Sequence, residues 1–260
     1  MPPLVRDLIS WLRFYLILPI PPLPGESEAD AASSAARTTT AAMQAIPLAG
    51  AVVGALAGIV LVLAAYAQLP VFVVAVLALG FLALITGASG ESGFADACRR
   101  LGAYFCPRVG DARLANASVV ALVIIILLRV GIVEYLTISG AIKVALALIA
   151  ASAVARSVVV LIRAFGHERP EGAGPSAPGE SANAQFLGII ALAIAAATIL
   201  PTYGVGAAIS AVVFALVIAA IAENLGRRIG VGDDRNFDTG VEFAAETAFL
   251  FALLVVFRIS

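Results

Sequence analysis

Glu242 and Glu246 stand four residues apart in an apolar stretch, so in a helix both carboxylates lie on one face. At lipid depth a carboxylate persists only when paired, protonated or bound to a metal, which marks this pair as a candidate site. Other acids precede it in clusters: Glu91, Asp96 and Asp111; Glu168, Glu171 and Glu180; Glu223, Asp233, Asp234 and Asp238. Solvated loop charges are one reading of these clusters. The other is a clamp reaching from the start of the last helix, near Asp238, toward Glu91 and Asp96. Oxygen donors at this density suit Mg²⁺, which often shares its carboxylates with substrate phosphates. Glu91 and Asp96 are not on one helical face, but converge if Gly93 breaks the backbone. Arg99 and Arg100 follow at once, either as interfacial arginines against lipid headgroups or as a phosphate clamp. Arg129 lies among Ile and Leu and needs a partner, from Glu134 or from a carboxylate of another helix. His167, in a Gly/Pro/Ser-rich segment over 166–184, reads as solvated.

The elements that position these residues follow from composition. Of 260 residues, 62% are hydrophobic and 13% charged, and the mean hydropathy is +1.04. A soluble domain has about 25% charged residues, so the solvent here is lipid. The expected fold is an all-α polytopic membrane helix bundle, one integral domain over 1–260, with about seven spans. They fall near 46–67, 70–87, 117–136, 141–163, 186–200, 205–222 and 240–257. The proline-interrupted run from Trp11 to Pro24 lacks a small-residue cleavage site and reads as an interfacial amphipathic helix ended by Pro19, Pro21 and Pro22. The connectors 68–69, 137–140 and 201–204 contain no Lys or Arg, whereas the alternate connections carry Arg99, Arg100, Arg108, Arg113, Arg163, Arg169, Arg227, Arg228 and Arg235. The positive-inside rule puts that side and the N-terminus in the cytoplasm of a multi-pass cell (inner) membrane protein. A net charge of −1 argues against nucleic acid as a partner. Cys98 and Cys106 have neither a CxxC spacing nor enough His for a zinc site. Gly50, Gly54 and Gly58 form a flat strip that suits close packing inside the bundle or, alternatively, a homo-oligomer contact.

Several segments, in order, resemble the cobalamin synthase family of membrane-bound adenosylcobinamide-GDP ribazoletransferases. Phe14 to Pro21 is similar to the family's Phe-x-Thr-Arg-Leu-Pro-x-Pro, and Ile46 to Gly54 to its Phe-Pro-Leu-Val-Gly-x-x-x-Gly. Thr86 to Asp96 resembles Thr-Gly-x-x-His-x-Asp-Gly-x-x-Asp, and Asp111 to Leu114 resembles Asp-Ser-Arg-x. Ala155-Arg156 is similar to Ser-Arg, Arg169 to Gly174 to Arg-x-Glu-Gly-x-Gly, and Glu246 to Leu253 to the closing Glu-x-x-Phe-Leu-x-Ala-Leu.

The resemblance implies a transferase that joins adenosylcobinamide-GDP to α-ribazole or its phosphate, with Mg²⁺ and release of GMP. Its partners would be the corrinoid, the ribazole nucleoside and the lipid bilayer. It implies catalytic roles for Asp96, Asp111 and Glu246 and substrate binding by Arg99, Arg113 and Arg156. Glu91, Asp96, Asp238, Glu242 and Glu246 would serve as metal ligands. Gly90, Ser92 and Arg99 stand where the family pattern has His, Asp and Asp. A guanidinium cannot ligate Mg²⁺, so weak metal-dependent turnover is expected. A catalytically weakened paralogue that binds corrinoid or a partner membrane protein is the second reading. A transporter-like bundle is the third; it lacks the internal repeat that such folds show.

Overall fold

Long runs of Val, Ile, Leu and Ala without charge leave the helix as the backbone that satisfies its own polar groups in lipid. The protein's structure, a computed structural model, describes residues 3–17, 19–21, 23, 45–166, 179–230 and 234–259. Its regular elements are α1 (Pro3–Tyr15), α2 (Ile46–Tyr66), α3 (Val71–Ile85), α4 (Ser89–Phe105), α5 (Asp111–Thr137), α6 (Ala141–Gly166), α7 (Gly179–Arg228) and α8 (Arg235–Ile259). The fold is thus an all-α membrane bundle, as expected.

Among the described residues, five helices are long and apolar enough to cross a bilayer, or six if α3 and α4, bent by 84° at their junction, form one span. The apolar part of α7, Gly188–Arg228, has 41 residues. At 1.5 Å per residue it would span about 60 Å, twice the hydrocarbon thickness. It does not run straight. Pro201 lacks the amide a helix needs, and Gly204 (φ 83°, ψ 171°) leaves the helical region altogether. Gly188 begins the first arm beside Leu161, late in α6. Tyr203, at the break, meets the ring of Phe257 at the far end of α8. Gly226 ends the second arm against Phe237, at the start of α8. The two arms therefore run in opposite directions.

Helix α6 is the centre: every residue from Ala150 to Val159 is buried, including Ser152, Arg156 and Ser157. Helices α2, α7 and α8 pack around it. The glycine strip of α2 is used inside the chain. A Cβ on Gly54 would stand 2.5 Å from the Leu148 carbonyl oxygen, and Gly50 and Gly58 face Ser152–Ala153 and Ala145 in the same way. Helix α5 is peripheral, with Val119, Val120, Val123, Ile124, Leu127 and Leu128 exposed to lipid.

Several sequence expectations need correction. Helix α1 starts at Pro3 and ends at Tyr15, before the prolines, and its Trp11 and Tyr15 rings are buried in the protein core. The amphipathic face is covered by protein, because α2 lies directly behind it. The stretch 89–105 is helix, not loop, and runs unbroken through Gly93. Helix α5 begins at Asp111, a turn and a half before its apolar run. Glu223 is no loop charge but a fully buried side chain of α7. The basic side is also less pure than the connectors suggest, since Lys143, in the first turn of α6, joins Arg258 at the opposite end. Of the expected 166–184 loop, residues 179–184, with Glu180, open α7 as helix, and 167–178, with His167, Glu168, Arg169 and Glu171, lie outside the described residues, as does the Ala/Thr-rich 25–40 segment.

Candidate active site

Three turns of chain build the site. The first is the corner between α3 and α4, where Gly87 (φ 66°) and Ala88 (φ 51°) both adopt the left-handed conformation. For Ala88 this is strained, and it aims α4 away from the span axis. The Ile17 amide donates to the Ile85 carbonyl at 2.8 Å and anchors the chain after α1 to that corner. The second is the start of α8. The Asp234 carboxylate accepts the Asn236 amide at 2.9 Å, as an N-cap does. The third is the crossing of α4 and α8, where backbones nearly touch: a Cβ on Gly240 would be 2.6 Å from the Gly93 carbonyl. This is the role of Gly93. The Thr239 hydroxyl fastens the crossing by donating to Ser89 and Asn236 carbonyls at 3.0 and 2.9 Å.

A pocket of about 400 Å³ opens between these turns and the central helix, lined by residues of α1, α3, α4, α5, α6 and α8. Glu91, Glu242 and Glu246 line it, with Arg129, Arg156 and Tyr15. Glu246 is 5% exposed; its Oε1 accepts the Ser152 hydroxyl at 2.6 Å and its Oε2 lies 3.4 Å from Arg129 Nη2. Arg129 therefore finds its partner in another helix and not in Glu134. Its guanidinium also sits 4.6 Å from the Phe243 ring centroid. One turn before Glu246, Glu242 Oε1 accepts the Tyr15 hydroxyl at 3.2 Å. Burial, reinforced by the Glu242 carboxylate, pushes the Tyr15 phenol well above its ordinary range, so it remains a donor. Arg156 stacks 4.8 Å from the Tyr15 ring and donates from Nη1 to the Ser152 carbonyl at 3.0 Å.

A second polar group lies on the flank of α4. Asp96 bonds Arg99 at 2.9 Å through Oδ1 and Arg100 at 2.6 Å through Oδ2. Arg99 continues to Asp111 at 3.2 Å and Arg100 to Asp234 at 2.6 Å, which ties α4 to α5 and to the cap of α8. The Asn236 amide, and after it the Arg100 guanidinium, hold the Asp234 carboxyl below its usual range. Its stabilising contribution is therefore complete above the unfolded value near 3.8 and vanishes as pH falls through the lower folded value. Asp234→Asn keeps a capping side chain and removes the charge. Thermal unfolding in detergent should show the variant less stable than the wild type at pH 7, with the gap closing toward pH 3. A gap independent of pH would contradict this.

The structure thus divides the residues singled out by sequence. Glu91, Glu242, Glu246 and Arg156 line the pocket, and Asp238 stands one turn below Glu242 on the same face of α8. Asp96, Asp111 and Arg99 form the flanking network and are absent from the pocket lining, and Arg113 is exposed in the first turn of α5. Tyr15 and Ser152 belong to the site but carried no sequence signal that pointed to it, whereas Arg129 signalled its need for a carboxylate without saying which one. Among the described residues, no three His, Cys, Asp or Glu converge to hold a metal ion unaided. Both oxygens of Glu246 are engaged. Glu91 and Glu242 offer hard oxygen donors, the ligand type that Mg²⁺ takes.

The family model described as Cobalamin-5-phosphate synthase matches residues 7–233. A protein of Azorhizobium caulinodans named adenosylcobinamide-GDP ribazoletransferase is 33% identical over 98% of this chain and 97% of its own length. Proteins of the same name from Xanthobacter autotrophicus and Brucella anthropi are 35% and 32% identical over 97% and 87% of this chain, and over 97% and 91% of their own lengths. No solved structure matches.

Proposed function

We propose, since the chain belongs to the cobalamin-5-phosphate synthase family, that it transfers ribazole to adenosylcobinamide-GDP within the membrane. The observation that supports this most directly is the pocket itself, where three carboxylates and two buried guanidinium groups surround one small space at the mouth of an apolar bundle. In the reaction, a hydroxyl oxygen of α-ribazole or its 5′-phosphate bonds to the cobinamide-linked phosphorus. The bond from that phosphorus to the bridging oxygen breaks, and GMP leaves with the oxygen. Such transfers depend on positioning and charge neutralisation more than on covalent help. Mg²⁺ held by Glu91 and Glu242 with the diphosphate would neutralise charge on the phosphoryl oxygens. Glu242 also receives the hydroxyl proton, and Tyr15 orients its carboxylate. The polar lining would receive the phosphates and leave the corrin ring against the bundle and the lipid.

The basic end of the bundle, with the N-terminus, faces the cytoplasm of the inner membrane, where nucleotide substrates are supplied. A cysteine placed at Ser139 should react with an impermeant external reagent, and one placed at Arg228 should not; the reverse pattern would invert the topology. The transfer is tested in membranes containing the full chain, both substrates and Mg²⁺. Slow corrinoid product formation is expected, reduced about a hundredfold or more in Glu242→Gln if general-base and ligand roles coincide. No product from folded wild type would refute the reading. It would leave the weakened paralogue, which the capture of Asp96 between Arg99 and Arg100 favours.

A further inference from the structure

Two cations are buried at the pocket wall with bonding capacity to spare. Arg129 is 4% exposed and Arg156 is 7% exposed, and they come from different helices, α5 and α6. Nε of Arg129 and Nε of Arg156 make no hydrogen bond among the described residues, and Nη2 of Arg129 has only its 3.4 Å ion pair with Glu246. Buried polar groups are nearly always satisfied, so unmade bonds on charged donors mark a place where a ligand completes them. Each guanidinium has one face against an aromatic ring, Arg129 on Phe243 and Arg156 on Tyr15. Stacking of this kind fixes the plane and leaves the N–H edge for planar, bidentate recognition of phosphate oxygens.

The geometry points to a phosphate-holding role for Arg129 together with Arg156: they bind the diphosphate of the substrate while the facing carboxylates take its cation. Two arginines and three glutamates line the pocket, a formal charge of −1, so a bare polyanion is disfavoured and its divalent-cation complex is matched on both sides. Glu246 keeps Arg129 in place until the ligand arrives. This inference rests on the ribazole-transfer reading and assigns to Arg129 a contact with substrate beyond its ion pair.

The probe is Mg²⁺-pyrophosphate binding to the purified full chain in detergent, measured by equilibrium dialysis. Wild type should bind saturably. Arg156→Gln should weaken binding about tenfold or more, which a charge-assisted bidentate contact would account for. Arg129 is tested in the double variant Arg129→Gln with Glu246→Gln, which removes both charges together and so avoids a lone buried carboxylate. It too should lose tenfold or more, with thermal stability near wild type. Unchanged affinity in the double variant would show that Arg129 serves only as the counterion of Glu246 and would overturn the inference. So would the absence of pyrophosphate binding by wild type. Transfer activity is scored separately. Binding lost with the arginines in a chain without turnover would sink the proposed reaction but not the clamp. Turnover with unaffected binding in the variants would sink the clamp but not the reaction.

Discussion

Glu246→Ala is expected to destabilise the protein by about 3–5 kcal/mol, because it leaves the Arg129 guanidinium buried without its counter-charge. The two groups come from α5 and α8, and both are almost wholly excluded from solvent. Alanine also strips the Ser152 hydroxyl of its 2.6 Å acceptor in α6, so one substitution loosens three helices at once. Glu246→Gln separates these effects: its carbonyl still accepts from Ser152 while the charge is gone, and the loss should be smaller. Replacing the pair with apolar groups of similar volume, Arg129→Met with Glu246→Leu, should recover most of the stability, since desolvation of two ions nearly cancels their attraction. Unfolding in a denaturing detergent series would show the ranking. A Glu246→Ala chain as stable as wild type would mean that Arg129 has another adequate partner.

The same pair shows what the sequence could and could not reveal. Arg129 in an apolar run announces that it needs a carboxylate, but two candidates fit. Glu134 is five residues away on the same helix, and only the packing of α8 against α5 selects Glu246. Hydropathy placed the crossing helices within a few residues, because lipid admits few alternatives to a long apolar helix. It was silent on α4, whose mixed polar residues carry no span signal and whose direction is set by left-handed Gly87 and Ala88.

Candidate site residues were legible where spacing along one helix decides the outcome. Glu242 and Glu246 share a face of α8, and both reach the pocket. Asp96 was harder, because its surroundings come from elsewhere: Arg99 and Arg100 wrap it from its own helix, and Asp111 and Asp234 complete the network from separate segments. Tyr15 was the least legible. Its α1 reads as a helix lying in the interface, and only the tertiary fold turns its phenol toward Glu242 across 227 positions of sequence.

Restoring acids along α4 should raise activity. Ser92, Asp96 and Arg99 are spaced four and three apart, so their side chains follow one face of α4, beginning one residue after the pocket residue Glu91. In wild type, Arg99 occupies this face and holds both Asp96 and Asp111. With Ser92→Asp and Arg99→Asp combined, that bridge is gone and Asp96 and Asp111 join two new carboxylates around the place the guanidinium held. Without metal, the like charges repel and the variant should unfold at a lower temperature than wild type. With Mg²⁺ the order should reverse, since oxygen donors now surround a site that a cation can neutralise. Unit charges about 4 Å apart in water-like surroundings interact by about 1 kcal/mol, and replacing one positive charge by a negative one beside a divalent ion counts several such interactions. Mg²⁺ affinity and Mg²⁺-dependent ribazole transfer should therefore rise about tenfold or more, by 1.4 kcal/mol per factor of ten. Thermal unfolding with and without Mg²⁺ reads the first effect and product formation the second. The contrary result is equally distinct. If Arg99→Asp alone abolishes the transfer that wild type performs, and Mg²⁺ fails to stabilise the double variant, then Arg99 grips the substrate diphosphate itself and this chain has exchanged a metal ligand for an arginine.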